Sequence, residues 1–239
     1  MSLTLKQRIG KFLIPNLPLS KENFNIFRHE LNAFLLRLNT SINPIKRANI
    51  SKYTKQDEIS LNVGAGPFGK KGWTNVDMFK LDNITFTYDC RRKMPFRDKS
   101  VRRIRCEHVF EHLTMHDEVP DFLKECRRVL KEDSVLRIVV PDIAKFIKAY
   151  YEKDTALWKE MGFEVGNEEA PTAAFLLNHV FRQDGEHKFA YDFETLEYVV
   201  KKAGFSKVIH QEWGESIDEK LKNDLANHRP YSLYVDCIK

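Results

Sequence analysis

Two short apolar runs, Ile59–Val63 (I-S-L-N-V) and Thr74–Asp77 (T-N-V-D), stand only ten residues apart. Between them, residues 64–73 read G-A-G-P-F-G-K-K-G-W. The glycines at 64, 66, 69 and 72 and Pro67 leave little room for a helix. Both runs look like strands, yet a parallel crossover usually takes a dozen or more residues and carries a helix. Whatever sheet this chain builds, its first connection is a glycine loop.

Gly64, Gly66 and Gly69 formally satisfy G-x-G-x-x-G directly after a strand. The physical use of such a loop is close backbone approach to a ligand at the carboxyl edge of a sheet. A dinucleotide would need a helix N-terminus facing its pyrophosphate and an acid roughly 20 residues on. Asp77 comes only 11 residues after Gly66. A ligand with a ribose but no phosphate fits better, and S-adenosylmethionine is one. The alternative is a tight glycine turn that holds nothing.

The remainder alternates strands and helices. Residues 84–88 and 101–106 read as strands, the second unusually charged through Arg102, Arg103 and Arg105. Val119, Phe122, Leu123, Cys126, Val129 and Leu130 mark an amphipathic helix. Residues 135–140 form a buried-type strand, followed by a helix around Ile143–Tyr151. Residues 152–190 lack a clear period and read as a helical insertion or lid. Asp192 looks like an N-cap and Gly204 like the stop of one more helix. Lys207–Gln211 and residues 231–238 are the last strands. The pattern predicts a mostly parallel α/β sheet covered on both faces, with an antiparallel end.

Residues 21–38 place Phe24, Phe27, Leu31, Phe34, Leu35 and Leu38 at helical spacing. This apolar stripe needs a cover, most simply the domain that follows; a homodimer would serve as well. The chain of 239 residues carries +5, but residues 1–55 hold ten Lys/Arg against two Glu, leaving the rest near −3. The expected organisation is a basic helical extension, 1–55, before a domain at 56–239. Such an arm suits an anionic membrane surface or an acidic partner. No run is long enough to span a membrane, and no secretory signal is read. The four cysteines form no C-x-x-C, so reduced thiols and a cytoplasmic location are expected. No nucleic-acid motif is visible.

The stretches L-N-V-G-A-G, G-W-T-N-V-D, Y-D-C-R-R-K-M-P-F, C-E-H-V-F-E-H-L-T and F-L-K-E-C-R-R-V-L-K-E-D-S-V-L-R-I-V-V-P-D occur in that order. With H-K-F-A-Y-D-F-E-T-L-E-Y-V-V-K-K-A-G-F they resemble class I SAM-dependent methyltransferases. The branch resembled is the type 11-like one with a shortened first crossover. The resemblance covers roughly 59–239 and implies a Rossmann-like fold with a seven-stranded sheet. It implies S-adenosylmethionine as donor and S-adenosylhomocysteine as product. It also implies that Gly64, Ala65 and Gly66 pass under the methionine part and that Asp77 binds the ribose hydroxyls. Asp89 and Cys90 would lie beside the adenine, and Cys106, Glu107 and His108 near the sulfonium. Asn62 stands where the wider superfamily often has a carboxylate, and Glu132-Asp133-Ser134 replaces a Pro-Gly-Gly turn.

His108-x-x-Glu111-His112 also matches an inverted zinc-peptidase pattern, with Glu111 as base. That reading needs a helix over 108–112. The preceding run reads as a strand, so the segment is a strand-to-helix corner and no metal is expected. Glu111 and His112 then serve structural hydrogen bonds. For methyl transfer to a hydroxyl, a base is needed; His108 and His187 are the candidates, with His179 behind them. The expected acceptor is a hydroxyl on a sugar, glycan or other small molecule. Tyr150, Tyr151, Trp158, Phe175 and Phe181 are candidate pocket residues, and the basic run from Arg91 to Arg105 a candidate anion attractor. The competing classes are a catalytically silent SAM-binding scaffold and, more remotely, a zinc hydrolase.

Overall fold

A computed structural model describes residues 20–239. The N-terminal part of the basic arm, with Lys6, Arg8 and Lys11, lies outside the described residues. Two helices come first, α1 (Lys21–Ile42) and α2 (Pro44–Thr54). They join at Asn43, whose side chain accepts from Lys46 N, with Pro44 at the first helical turn.

The sheet follows as β1 (Ile59–Val63), β2 (Thr74–Asp77), β3 (Phe86–Thr87), β4 (Val101–Glu107), β5 (Leu130–Pro141), β6 (Lys207–Gln211) and β7 (Ser232–Ile238). Its order is β3-β2-β1-β4-β5-β7-β6. β1 runs parallel to β2 and β4, and β5 parallel to β4. β7 is antiparallel to both β5 and β6, the antiparallel end expected from the two late strands. The order reverses between β1 and β4, and ligands of open α/β sheets bind outside the carboxyl ends of strands at such a switch.

No helix joins β1 to β2. Asn75 takes over the work of organising that connection. Its amide donates to Lys70 O (2.9 Å), and its oxygen accepts from Lys70 N (2.9 Å) and from Asn62 Nδ2 (3.1 Å). Asn62 is thus spent on holding the loop. β3 is shorter than residues 84–88 suggested, as befits an edge strand. β5 is longer, because Asp133 adopts φ +57° and the β4–β5 register shifts there. The substituted turn is absorbed into the strand.

One face of the sheet packs on α3 (Glu118–Val129) and α7 (Phe193–Lys202). Val119, Phe122, Leu123, Cys126 and Val129 of α3, and Leu196 and Val200 of α7, enter the main core. Burying a side chain of this size contributes about 1.5–3 kcal/mol. Asp192 caps α7 by accepting from Thr195 N (2.8 Å), and Gly204 ends it at φ +91°, as its sequence position predicts.

The other face explains the charged β4. Alternation puts Arg103, Arg105 and Glu107 on one side of the strand. Register sets Arg105 beside Arg137 of β5, and Arg137 beside Asp236 of β7. Residues 212–230, with short 3₁₀ turns at Glu219–Leu221 and Ala226–His228, supply Asp224 to this row. Arg137 is fully buried between Asp224 (2.6 Å) and Asp236 (3.0 Å). Arg105 pairs with Glu107 and donates to Asn223 O (2.7 Å), and Arg103 pairs with Asp218 (2.7 Å). Lone buried ions would be very costly, and here each arginine has carboxylate partners. These arginines are internal, so the expected anion-attracting run is reduced to its exposed members.

Between β5 and α7 lie α4 (Ile143–Tyr151), α5 (Thr155–Glu160) and α6 (Ala173–Arg182). They build a second core from Phe146, Trp158, Met161, Leu176 and Val180. Trp158, expected as a pocket residue, is core there; its ring meets Phe146 and Phe163. Tyr151, another candidate, is 85% exposed.

The apolar stripe of α1 departs from expectation. The domain does not cover it: Phe27, Leu31, Phe34, Leu35 and Leu38 all face outward. The helix docks instead through Ala33, which is fully buried, and through charge. Glu30 meets Arg91 (2.6 Å) and Arg37 approaches Asp89 (3.8 Å). Phe24, Ile26 and Leu36 are half-buried on the docked side, so these ion pairs accompany a small apolar contact.

Candidate functional site

The loops leaving β1 and β4 meet at the switch point. Gly64 (φ +63°) and Gly66 (φ +49°) turn the first loop. A Cβ on Gly64 would sit 2.1 Å from Val109 Cγ2, so that glycine is required by contact with the β4 loop. A Cβ on Gly66 would meet nothing within 4 Å; this is the open side of the loop. Asp77, at the end of β2, accepts from Gly66 N (2.9 Å) and Phe79 N (2.8 Å). A carboxylate so placed retains lone pairs for further donors. Gly64, Ala65, Gly66 and Asp77 therefore form one surface at the carboxyl edge.

Asp89 is also near this edge, but its carboxylate is 1% exposed and bound by Arg91 at 3.0 Å. Cys106 is fully buried in the core, and burial raises its thiol pKa well above the ordinary value. Glu107 is spent on Arg105, Leu225 N and His228. Their side chains have no surface left for a ligand; what Asp89, Cys106 and Glu107 can offer is backbone. Cys90 is half-buried, and burial first, then Asp89, pushes its thiol up to about 12. It is an apolar wall and not a nucleophile.

β4 ends at Glu107, and a single 3₁₀ turn, Phe110–His112, follows. The corner read from C-E-H-V-F-E-H is there, and His108 and His112 do not share a helical face. His108 takes φ +53°, a costly conformation for a residue with a Cβ. Its Nε2 lies 2.9 Å from Ser232 Oγ and its Nδ1 3.3 Å from Glu111 Oε1. Its ring packs against that of His228, tilted by 40° with centroids 3.9 Å apart. Glu111 is buried, and neither of its oxygens has a hydrogen bond of good geometry. Burial raises the Glu111 carboxyl, but His108 and His112 outweigh it and hold the pKa below the ordinary value.

His187 sits beside this corner. Its Nδ1 approaches Val180 O (2.5 Å), and its ring lies 4.9 Å from that of His112. Burial lowers its pKa, which keeps the imidazole neutral. Lys188 N and Phe189 N donate to Glu111 O, which fastens this end of the insertion to the β4 corner. His179 is exposed on α6 and joins nothing here. Asn75, Ser232 and His228 escaped the sequence reading. Asn75 looks like any strand residue, and the other two fall in or just past a charged connection whose position only the tertiary fold defines.

The parallel sheet with its antiparallel end, its switch point and its glycine loop define a Rossmann-like methyltransferase fold. Residues 76–138 match the family model described as a methyltransferase domain. A SAM-dependent methyltransferase from Archaeoglobus fulgidus is 18% identical, over 86% of this chain and all of that one, with a TM-score of 0.47. A 1,6-didemethyltoxoflavin-N1-methyltransferase from Burkholderia thailandensis, solved with S-adenosylhomocysteine, is 11% identical over 93% of this chain and 92% of that one, TM-score 0.47. A SAM-dependent methyltransferase from Thermotoga maritima, described as a possible histamine N-methyltransferase, is 16% identical over 91% and 98%, TM-score 0.44. A search of curated proteins found no match. The assignment rests on the family match and the strand order. Together they support reading the chain as a class I SAM-dependent methyltransferase that takes S-adenosylmethionine.

The residues present fit that cofactor. The open side of Gly66 admits close approach, and Asp77 stands 2.9 Å from its amide with acceptor capacity for ribose hydroxyls. No helix among the described residues is long and apolar enough to cross a membrane.

Proposed function

We propose that this methyltransferase acts on a hydroxyl of a sugar, glycan or other small molecule, with His108 as the base. The carrying observation is the contact between His108 Nδ1 and the buried Glu111 carboxylate. A carboxylate there favours the tautomer with Nδ1 protonated, which leaves Nε2 as the acceptor. Nε2 already lies within hydrogen-bonding distance of a hydroxyl oxygen, that of Ser232. The acceptor's hydroxyl would take the place of that contact and give its proton to Nε2, while Glu111 stabilises the imidazolium.

The cofactor supplies an electrophilic methyl group on a sulfonium. Gly64, Ala65 and Gly66 would hold its methionine part, Asp77 its ribose, and the backbone of Asp89–Cys90 its adenine. Alignment is the larger contribution in such a displacement, and a positioned base adds about 10²–10⁴-fold. His187, the second candidate base, holds Nδ1 on the Val180 carbonyl, where no carboxylate stabilises an imidazolium as Glu111 does for His108. The homodimer considered from the sequence would use the exposed stripe of α1. Sedimentation of a Leu35→Glu variant beside the wild type reads that directly.

The test is turnover of His108→Gln on a library of hydroxyl compounds, with SAM affinity measured in parallel. The expected result is a loss of about 10²-fold or more in kcat with cofactor binding retained. Full activity of the variant, or wild-type turnover confined to amines or thiols, would overturn the assignment.

A further inference from the structure

Glu111, His112 and His187 each offer a ligand atom, and the three atoms lie within 4.8 Å of one another. We propose that they bind a divalent first-row transition cation of the zinc type, which clips the end of the insertion to the tip of β4. This site is not the sequence pattern met at the outset. It omits His108 and recruits His187, 75 residues beyond His112 in the chain.

The first argument is the state of the two imidazoles. His112 places Nδ1 3.1 Å from Glu186 O, and His187 places Nδ1 2.5 Å from Val180 O. A carbonyl can only accept, so both rings carry their proton on Nδ1. That leaves each Nε2 with a free lone pair, and neither has a protein partner among the described residues. Metal-bound histidines are held in this way, with one ring nitrogen donating to a carbonyl and the other turned to the ion.

The second argument is Glu111. Its carboxylate is 2% exposed, and neither oxygen has a hydrogen bond of good geometry. Burying an ionised carboxylate is costly unless a cation or strong donors meet it. His108 Nδ1 approaches one oxygen at 3.3 Å, but a carboxylate has about four lone-pair sites to fill. A dication between Glu111 and the two imidazoles would satisfy the rest.

The backbone brings the three groups together. After α6, Gln183 and Asp184 take φ +38° and +53° and Gly185 φ +85°, which turns the chain back so that His187 faces the β4 corner. Lys188 N then donates to Glu111 O at 2.8 Å. Two imidazoles and one carboxylate suit zinc and its transition-metal neighbours rather than magnesium or calcium, which prefer all-oxygen sites. Three protein ligands would leave a fourth position for water.

The assignment stands apart from the choice of acceptor. The full chain, treated with a chelator and dialysed, is titrated with Zn²⁺ by calorimetry and with Co²⁺ by visible absorption. His112→Ala, His187→Ala and the exposed His116→Ala are compared, each checked for fold by circular dichroism. One equivalent of either ion should bind, with a tetrahedral-type cobalt spectrum. Affinity should fall at least about 100-fold in His112→Ala and His187→Ala, since even outer partners of a metal site account for 10–100-fold. It should be unchanged in His116→Ala. Absence of saturable binding to the wild type, or binding that survives both substitutions, would overturn the site. SAM titration of the same samples shows whether the methyl-donor site is intact in either case.

Discussion

Arg137 of β5 and Asp224 of the covering segment meet at 2.6 Å, both without solvent exposure, across 87 residues of sequence. Asp236 completes the pair from the next strand. Arg137→Met removes the cation and leaves two buried carboxylates facing each other. The expected loss is about 3–5 kcal/mol, read by urea denaturation. Adding Asp224→Asn and Asp236→Asn to that variant should recover part of it, because the unpaired charges go too. Full additivity of the three losses would show that the row is not one unit.

The two leading glycines should respond differently. Gly64→Ala drives a methyl into Val109 at positive φ, so a stability loss of about 2 kcal/mol or more is expected. Gly66→Ala meets open space and carries only the conformational cost. It should fold, and it should weaken SAM binding through the crowded approach. Thermal melts with and without S-adenosylhomocysteine separate the two effects.

Asp77→Ala should abolish measurable SAM binding by calorimetry while the protein remains folded. The Gly66 and Phe79 amides lose their acceptor, and a ribose loses its carboxylate. Unchanged affinity would move the cofactor away from the end of β2.

His228 is the group through which acid should act. Burial first, then the neighbouring His108, lowers its pKa to about 4. Glu107 faces it at 3.0 Å, but that carboxylate is already paired with Arg105; Tyr231 packs on the other side. The folded state keeps the imidazole neutral where the unfolded chain, near 6.5, takes up a proton. Stability from this group is therefore present above pH 6.5 and lost as pH falls from 6.5 towards 4, by about 1–3 kcal/mol. His228→Gln should flatten that part of a stability-against-pH curve.

Much of this was legible locally. Asp192 and Gly204 announce the ends of a helix because capping is chemistry among neighbours. The ten-residue glycine loop forbade a helical crossover by length alone, and the two closing strands suggested the antiparallel end. What failed was non-local. The stripe of α1 is visible as a stripe, but nothing in a period says which neighbour it meets, and the docked side is the one that carries Ala33, Glu30 and Arg37. Arg105 read as part of an anion-attracting run, and Arg137 passed without remark in a buried-type strand, because their pairing follows from strand register. Glu111 read as a residue for structural hydrogen bonds, since the approach of His187 to it comes only through the fold of the insertion.

Residues 212–230 stand under the glycine loop where a crossover helix is missing, and this fixes an order of events. Lys70 reaches Asn223 across 153 residues, and Arg105 reaches the same carbonyl across 118. A chain leaving the ribosome therefore shows Arg137 without its carboxylates until Asp224 and Asp236 have emerged. Loop closures of this length are slow, and exposed sheet edges awaiting them are hazardous. The glycine loop, encoded long before the segment that braces it, is held by that segment only once residue 223 has arrived.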